Sequence, residues 1–240
     1  MKKTKINASR ALLDDLVAGS RILAQHSVLD AYGHVSVRSD KRPGRYVMSR
    51  SLAPALVTGA DLVEYDLDSE PVADKRKGFI ERYIHSEIYR ARPEVMAVVH
   101  SHSPSVIPFG VTKTKLRPIY HMGSFLWSGA PVFDIRKVRE DNDVLIRDVP
   151  LGKALAGTLG GCACVLMRGH GMTVVGDCVG EAVYRAIYTE MNARLQIQAT
   201  LLEGPIEFLS EKEGRNAQVS NRGTLERPWE LWKKKALGRK

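Results

Sequence analysis

Two apolar runs that end in histidines constrain this chain more than any other feature of its sequence. The first, VMAVVHSH over residues 95–102, ends in His100 and His102, and the second, CVLMRGHG over residues 164–171, contains His170. Both runs predict buried strands. Residues i and i+2 of an extended chain lie on the same side, so His100 and His102 can face one point. A third imidazole from a neighbouring strand end would complete a set of nitrogen ligands.

Three imidazoles that converge in this way indicate a metal site. Neutral imidazole nitrogens suit zinc, manganese, iron or cobalt, and three protein ligands leave positions open for a substrate. The alternative is that the histidines are unrelated and bond to backbone groups at strand ends and a turn. The pair of His100 and His102 does not decide between the two, but the second strand, with its Gly-His-Gly ending, favours a metal.

The rest of the pattern predicts a single α/β domain over residues 1–240. Predicted helices cover 8–25, 80–91 and 179–202, and predicted turns and strands cover 30–38, 45–49, 61–68, 96–100, 164–168 and 172–175. No repeat or linker interrupts the chain. We therefore expect a three-layer α/β/α fold in which helices flank a mixed, largely antiparallel central sheet. The polar tail, residues 206–240, carries Trp229 and Trp232 as candidate packing anchors.

The charge of the chain favours a small anionic substrate over nucleic acid. Lysine and arginine outnumber acidic residues by 36 to 27, a net charge of +9. Much of the excess lies at the two ends, in Lys2, Lys3, Lys5, Lys233, Lys234, Lys235, Arg239 and Lys240. Terminal clusters of this kind are usually solvated. Basic residues near the predicted site, such as Arg50, Arg82 and Arg168, suit a small anion instead.

Cysteine use and hydropathy predict a cytoplasmic protein without a membrane partner. The sequence has three cysteines, its N-terminus lacks an apolar signal region, and no apolar stretch is long enough to span a bilayer. An odd number of cysteines without a signal peptide favours reduced thiols.

Four short motifs relate the chain to a known family. They are GHVSVR at 33–38, ERYIHSEIYRARP at 81–93, VHSHS at 99–103 and RGHG at 168–171. Together they resemble the class II aldolase/adducin family, from about Leu13 to Leu202. The family includes sugar-phosphate aldolases, an epimerase, several decarboxylases and the non-enzymatic head domain of adducin. The resemblance implies a class II aldolase-like fold and a homotetramer, with the tail, 206–240, at a subunit interface.

The resemblance also implies roles for particular residues. His100, His102 and His170 fall on the three metal histidines of the family, which implies one divalent ion per subunit, manganese or zinc. Glu81 falls on the catalytic acid/base. Without the family, Glu81 would be a solvated carboxylate stabilised by the start of a helix. His85, one helical turn later, is expected to pack behind the site rather than bind metal.

Departures from the sugar-phosphate aldolases predict a different substrate. The segments that bind phosphate in those enzymes read GHVS at 33–36, MSRS at 48–51 and GFIE at 78–81 in this chain. Phe79 and Ile80 replace two hydroxyl residues, and Arg50 adds a guanidinium that can bind a carboxylate in a bidentate manner. The expected substrate contacts are His34, Ser49, Arg50 and Phe79. The alternative is that Phe79 and Ile80 cap the core and Arg50 is a surface charge.

A second candidate proton donor is His121. The segment YHMG at 120–123 lies where the aldolases carry a tyrosine that donates a proton from a neighbouring subunit, and His121 falls on that tyrosine. An imidazole can donate a proton near neutral pH. The alternative is that His121 is a packing residue.

These motifs are most similar to the decarboxylase branch of the family, which acts on hydroxylated aromatic dicarboxylates. The expected function is therefore a metal-dependent carbon–carbon lyase, a decarboxylase with a small anionic aromatic substrate. The alternatives are a sugar-phosphate aldolase or epimerase and a non-catalytic, adducin-like interaction module. Loss of the phosphate-binding hydroxyls disfavours the first, and the intact histidines and Glu81 disfavour the second.

Overall fold

A computed structural model of the chain describes residues 6–238. The five terminal charges at Lys2, Lys3, Lys5, Arg239 and Lys240 lie outside the described residues. The strands are β1 (His34–Arg38), β2 (Arg45–Ser49), β3 (Leu62–Asp66), β4 (Ala97–Ser101), β5 (Val132–Phe133), β6 (Cys164–Met167) and β7 (Gly171–Gly176). The helices are α1 (Arg10–Gln25), α2 (Arg82–Ala91), α3 (Ile107–Val111), α4 (Val149–Leu159), α5 (Val179–Ala199), α6 (Glu211–Arg222) and α7 (Glu226–Leu237).

The strands form one mixed sheet in the order β3-β2-β1-β4-β7-β6-β5. Each neighbouring pair is antiparallel except β5 and β6, which are parallel. The mixed, largely antiparallel sheet that the sequence predicted is confirmed, with β1 and β2, and β6 and β7, paired as antiparallel neighbours.

The sheet separates two apolar cores. Helices α1, α5 and α7 pack over one face, where Leu16 and Val183 are buried. Helices α2 and α4 pack together over the other face, where Ile84 is buried. Successive residues of a strand serve different cores, Val99 the first and Val98 the second, because side chains alternate along an extended chain. The predicted three-layer α/β/α arrangement is confirmed.

Helix boundaries follow local capping groups that hydrophobic periodicity does not reveal. Helix α1 begins at Arg10, because the hydroxyl of Ser9 accepts a hydrogen bond from the Leu12 N–H and caps the helix. Helix α2 begins at Arg82, directly after Glu81, but the Glu81 side chain makes no capping hydrogen bond and instead accepts from the Ile146 N–H. The sequence placed these starts two residues earlier, at residues 8 and 80.

The tail is more ordered than its polar composition indicates. It contains α6 and α7, neither of which the sequence pattern predicted. Ser210 and Glu213 form a reciprocal capping box at the start of α6. Trp232, on α7, is 8% exposed and packs in the core beside α1, with its ring 5.2 Å from that of His26. Trp232 is therefore an anchor within its own chain, and contact of the tail with a neighbouring subunit stays a prediction.

Two further elements were missed for a different reason. Strand β5 has two residues, too few for an alternating pattern, and α4 is a short, Gly-containing helix whose first turn carries Pro150. Asp148 caps α4 through the Leu151 N–H, a signal that the sequence does contain. None of the helices formed by residues 6–238 is long and apolar enough to cross a membrane.

The sheet brings the predicted site residues to one of its ends. β4 ends just after His100, and β1 begins at His34, which lies opposite His100 in the antiparallel register. His100 is also opposite Thr173 in β7, and the turn before β7 contains His170. The two histidine motifs are therefore adjacent because β4 and β7 are neighbouring strands.

Candidate metal centre and active site

Four side chains converge at this end of the sheet. His100, His102, His170 and Glu81 each offer one ligand atom, and these four atoms lie within 4.8 Å of one another. Glu81 and His100 are buried, whereas His102 is partly open. The sequence-based expectation that two strand ends bring three imidazoles together agrees with this geometry.

His100 presents an unpartnered nitrogen to the cluster. Its side chain is fully buried, and Nδ1 lies 3.1 Å from the carbonyl oxygen of Met172. Because a carbonyl only accepts, Nδ1 carries a proton, so in the neutral ring the lone pair is on Nε2. That Nε2 atom is buried without a hydrogen-bond partner among the described residues. Buried polar atoms are rarely left in this state, and a metal ion would satisfy it.

His170 is oriented in the same way from the opposite side of the cluster. Its Nδ1 donates to the carbonyl oxygen of Val144 at 2.9 Å, and its Nε2 lies 3.0 Å from Nε2 of His102. Imidazoles that bind metal commonly donate their other nitrogen to a carbonyl or carboxylate. The donor set of three imidazoles and a carboxylate therefore fits zinc or manganese.

Glu81 lies between the imidazoles and a backbone donor. Its Oε1 accepts a hydrogen bond from the Ile146 N–H at 2.9 Å, and its Oε2 is 3.5 Å from Nε2 of both His100 and His170. Burial by itself would raise the pKa of the Glu81 carboxyl, but the neighbouring imidazoles outweigh burial and lower that pKa. Glu81 is thus held as a carboxylate whose second oxygen faces the cluster.

The imidazoles respond to the same surroundings in different directions. Burial, with His100 and His170 nearby, lowers the pKa of His102 to about 4. Burial also acts to lower the pKa of His170, but the adjacent Glu81 carboxylate more than offsets it and raises that pKa. At neutral pH His102 is therefore in the neutral form that binds metals.

One loop positions both Glu81 and His170. Val144 supplies the carbonyl that orients His170, and Ile146 supplies the N–H that binds Glu81. Val144 has φ of +61°, a left-handed conformation that is unusual for a β-branched residue. Strain of this kind is typical of functional sites, where the surrounding structure maintains it. Nothing in the sequence pattern indicated this loop.

Two of the predicted substrate contacts border the cluster. The ring of His34 lies 5.1 Å from that of His100 and 4.5 Å from that of Phe79, measured between centroids. Phe79 packs against the core of α2 and α4 and leaves part of its surface open. Behind His34 lies His85, fully buried, in the packing position that the sequence predicted.

The other two predicted contacts, Arg50 and Ser49, do not border the cluster in the same way. Nε of Arg50 is 2.9 Å from Oδ1 of Asp61, so this guanidinium is already paired, although its terminal nitrogens have no recorded partner within residues 6–238. Ser49 is buried at the end of β2, and strand alternation places it on the same face as Val47, the face opposite to His34. Their roles as substrate contacts stay predictions.

His121 does not join the cluster within one chain. Its side chain is exposed, its ring contacts that of Tyr120 at 6.1 Å, and its carbonyl accepts a hydrogen bond from Asn221. Tyr32, in contrast, was not singled out from the sequence, although it is 67% exposed and its ring lies 6.2 Å from that of His102. Its position immediately before Gly33, at the start of a family motif, was the available signal.

The fold and the cluster together define a class of protein, and comparison with known proteins identifies it. The chain belongs to the class II aldolase and adducin N-terminal domain family, whose model matches residues 14–197. A solved structure of L-fuculose 1-phosphate aldolase from Glaciozyma antarctica superposes with a TM-score of 0.79 and covers 99% of this chain and 95% of its own, at 20% identity. This likeness shows the class II aldolase fold.

Closer relatives in sequence are decarboxylases. The chain is 44% identical over 240 aligned residues to Decarboxylase tropJ of Talaromyces stipitatus, with 90% of each chain covered. It is 32% identical to the 3,4-dihydroxyphthalate decarboxylase of Terrabacter, with 82% of this chain and 83% of the relative covered. The sequence-based placement near the decarboxylase branch is confirmed.

Proposed function

We propose that this protein is a divalent-metal-dependent decarboxylase of a hydroxylated aromatic carboxylate or dicarboxylate. The observation that carries the proposal is the cluster of three imidazoles and Glu81, bordered by the rings of His34 and Phe79. The two decarboxylase relatives support the reaction class, and the name of one of them supports a dihydroxylated phthalate as the kind of substrate.

In this proposal His100, His102 and His170 hold one manganese or zinc ion per subunit. The ion supplies positive charge that stabilises the electrons released when the carbon–carbon bond breaks. The orphaned Nε2 of His100 and the close approach of His102 to His170 support this ligand set. Backbone carbonyls of Met172 and Val144 keep two of the imidazoles in the required tautomer.

Glu81 moves protons in this proposal. Its Oε2 accepts the proton of the substrate hydroxyl beside the carboxylate that leaves. Carbon dioxide departs with cleavage of the bond to the ring, and the bonding electron pair stays on the ring carbon. An acid then delivers a proton to that carbon, either the protonated Glu81 or His121 of a neighbouring subunit. In the former case the product's phenolate oxygen regains a proton from water. In the latter case Glu81 returns its proton to the hydroxyl oxygen, and the imidazole is reprotonated by water.

The remaining proposed contacts recognise the substrate. Phe79 offers an apolar surface to the aromatic ring of the substrate, and His34 contacts polar groups of the substrate beside the metal site. Arg50, held by Asp61, offers its terminal nitrogens to a carboxylate away from the bond that breaks. Ser49 is the fourth proposed contact. We further propose that the protein acts as a cytoplasmic homotetramer.

The experiment that tests the function is a substrate screen of the metal-loaded protein. Carbon dioxide release is measured from 3,4-dihydroxyphthalate and related hydroxy-aromatic acids, beside aldol cleavage and formation with dihydroxyacetone phosphate and aldehydes. We expect turnover of an aromatic acid that disappears after chelation and returns with manganese or zinc. Turnover of only the sugar phosphates would identify an aldolase instead, and a purified protein without bound metal or either activity would favour an interaction module.

A further inference from the structure

A buried chain of hydrogen bonds leads away from the metal centre behind His34. Nδ1 of His34 is 2.7 Å from Nε2 of His85, Nδ1 of His85 is 2.6 Å from Oγ of Ser36, and that Oγ is 2.7 Å from the hydroxyl of Tyr89. None of the four residues is more than 5% exposed. The mechanism above uses only the first of them.

The direction of donation along this hydrogen-bond chain follows from its buried end, Tyr89. Burial raises the pKa of Tyr89, so the phenol keeps its proton and must donate it. Among residues 6–238, Ser36 is the recorded acceptor for that proton. If the hydrogen bonds were donated in the opposite direction, Ser36 would donate to Tyr89. The phenol proton would then be buried without an acceptor, which is costly.

The remaining protons are then determined in sequence. Ser36 accepts from Tyr89 and donates to Nδ1 of His85. The proton of His85 is therefore on Nε2, from which it donates to Nδ1 of His34. With Nδ1 occupied as an acceptor, neutral His34 carries its own proton on Nε2. That nitrogen has no recorded partner in the described part of the chain.

We propose that His34 is a dedicated hydrogen-bond donor to an anionic oxygen of the substrate, and that Ser36, His85 and Tyr89 are positioning residues that set its tautomer. The ring of His34 lies 5.1 Å from that of the proposed metal ligand His100. A protonated Nε2 attracts a carboxylate oxygen beside the metal, whereas the other tautomer would repel it with a lone pair. The identity of the oxygen rests on the proposed function, but the tautomer does not.

The same hydrogen-bond chain explains why His34 is not one of the proposed metal ligands. Its ring is as close to His100 as the rings of His102 and His170 are, at about 5 Å between centroids in each case. A metal needs a nitrogen lone pair, and both nitrogens of His34 are committed, one as an acceptor and one as a donor. The hydrogen-bond chain thus separates one substrate-binding imidazole from three metal-binding ones.

The tautomer can be measured without reference to activity. Zinc-loaded protein labelled with ¹⁵N only in histidine is studied by magic-angle-spinning NMR, and His34→Leu identifies the His34 signals. We expect Nε2 protonated and Nδ1 unprotonated in the wild type, and a mixture of tautomers in Tyr89→Phe. Ser36→Ala interrupts the hydrogen-bond chain at a second point and replaces Tyr89→Phe in the experiment if that variant does not fold.

Tyr46→Phe is a matched control. Tyr46 is also fully buried, its ring is 5.5 Å from that of Tyr89, and its hydroxyl approaches Ser69 and the carbonyl of Arg82 rather than the chain. Tyr46→Phe should therefore leave the NMR signals of His34 unchanged. A wild-type His34 protonated on Nδ1, or Tyr89→Phe spectra identical to those of the wild type, would overturn the proposal.

Binding of phthalate, an aromatic dicarboxylate without a hydroxyl group, tests the role of the donor. Calorimetry on zinc-loaded protein should show affinity about fivefold weaker in Tyr89→Phe and less than about twofold weaker in Tyr46→Phe. In a His34→Leu background, Tyr89→Phe should add no further loss, because it acts through His34. Additive losses with unchanged zinc content would contradict that role. If wild-type protein fails to bind phthalate, binding requires the substrate hydroxyl, and the NMR result alone decides the proposal.

Discussion

At the scale of single residues, the site depends on which nitrogen of each imidazole is free. His100 and His170 both use Nδ1 on backbone carbonyls, so each directs Nε2 into the cluster. His34 also uses Nδ1 away from the centre, but its partner there is Nε2 of His85 rather than a backbone carbonyl. Residue type alone does not distinguish these roles, because all of these side chains are histidine.

The metal ligands give the first prediction. His100→Ala removes a direct ligand, so its affinity for zinc or manganese should fall sharply. The loss should exceed the roughly 10- to 100-fold that follows removal of an outer hydrogen-bond partner. Metal content after dialysis measures this, and activity should fall with it. His26→Ala, an exposed histidine at the end of α1, is the control and should retain its metal. Full metal occupancy in His100→Ala would exclude His100 as a ligand.

Glu81 gives the second prediction. Glu81→Gln keeps the shape and an oxygen for the Ile146 N–H but cannot accept a proton, so turnover should fall by about 100-fold or more while metal content changes little. Glu87→Gln is the matched control, since Glu87 is a buried carboxylate on α2 that pairs with Arg90 instead. Steady-state turnover of the metal-loaded variants is the measurement. Near-normal turnover in Glu81→Gln would reject an acid/base role.

At the scale of elements, the polar tail shows what composition conceals. Helix α7 is mostly polar, yet it adds Trp232 and Ala236 to the core beside α1 and α5. Lys233 also pairs with Asp15 of α1. One apolar side per helix is sufficient for docking, provided that a complementary face exists elsewhere in the chain.

Trp232 gives the third prediction. Trp232→Ala should lower the free energy of unfolding by about 3 kcal/mol, because it removes a large buried side chain and leaves a cavity. Leu231→Ala, on the 51% exposed neighbour in the same helix, should change it by less than about 0.5 kcal/mol. Urea unfolding followed by circular dichroism measures both. Equal effects would mean that α7 does not dock as described.

At the scale of the whole molecule, one chain holds the candidate metal centre but does not bring His121 to it. His121 is exposed, and its contacts are with Tyr120 and α6. A role in catalysis therefore requires a second subunit, which agrees with the proposed tetramer. The net charge of +9 suits an anionic substrate at any such shared site.

Mixed oligomers give the fourth prediction. If His121 delivers the final proton, His121→Asn and Glu81→Gln subunits should each have little activity alone. If the two residues serve one site from different chains, some mixed interfaces pair two wild-type residues, and part of the activity returns. The measurement is turnover after unfolding and refolding the two variants together, with mixed composition verified by mass spectrometry. No recovery in verified mixed oligomers would mean that His121 has no catalytic role.

The sequence by itself determined that this chain forms a three-layer α/β fold with His100, His102, His170 and Glu81 at one place. Alternation and apolar runs are local properties, and they specify which side of each strand a residue occupies. The resemblance to the family placed Glu81 with the histidines.

Only the tertiary structure decided how those residues are supported. Glu81 is held by Ile146, 65 positions away, His34 by His85, 51 positions away, and Arg50 is paired with Asp61. Ser49 lies on the face opposite to His34 because of the register of β2. Such contacts join separate elements, and no local periodicity encodes which distant backbone group or side chain will meet a given imidazole.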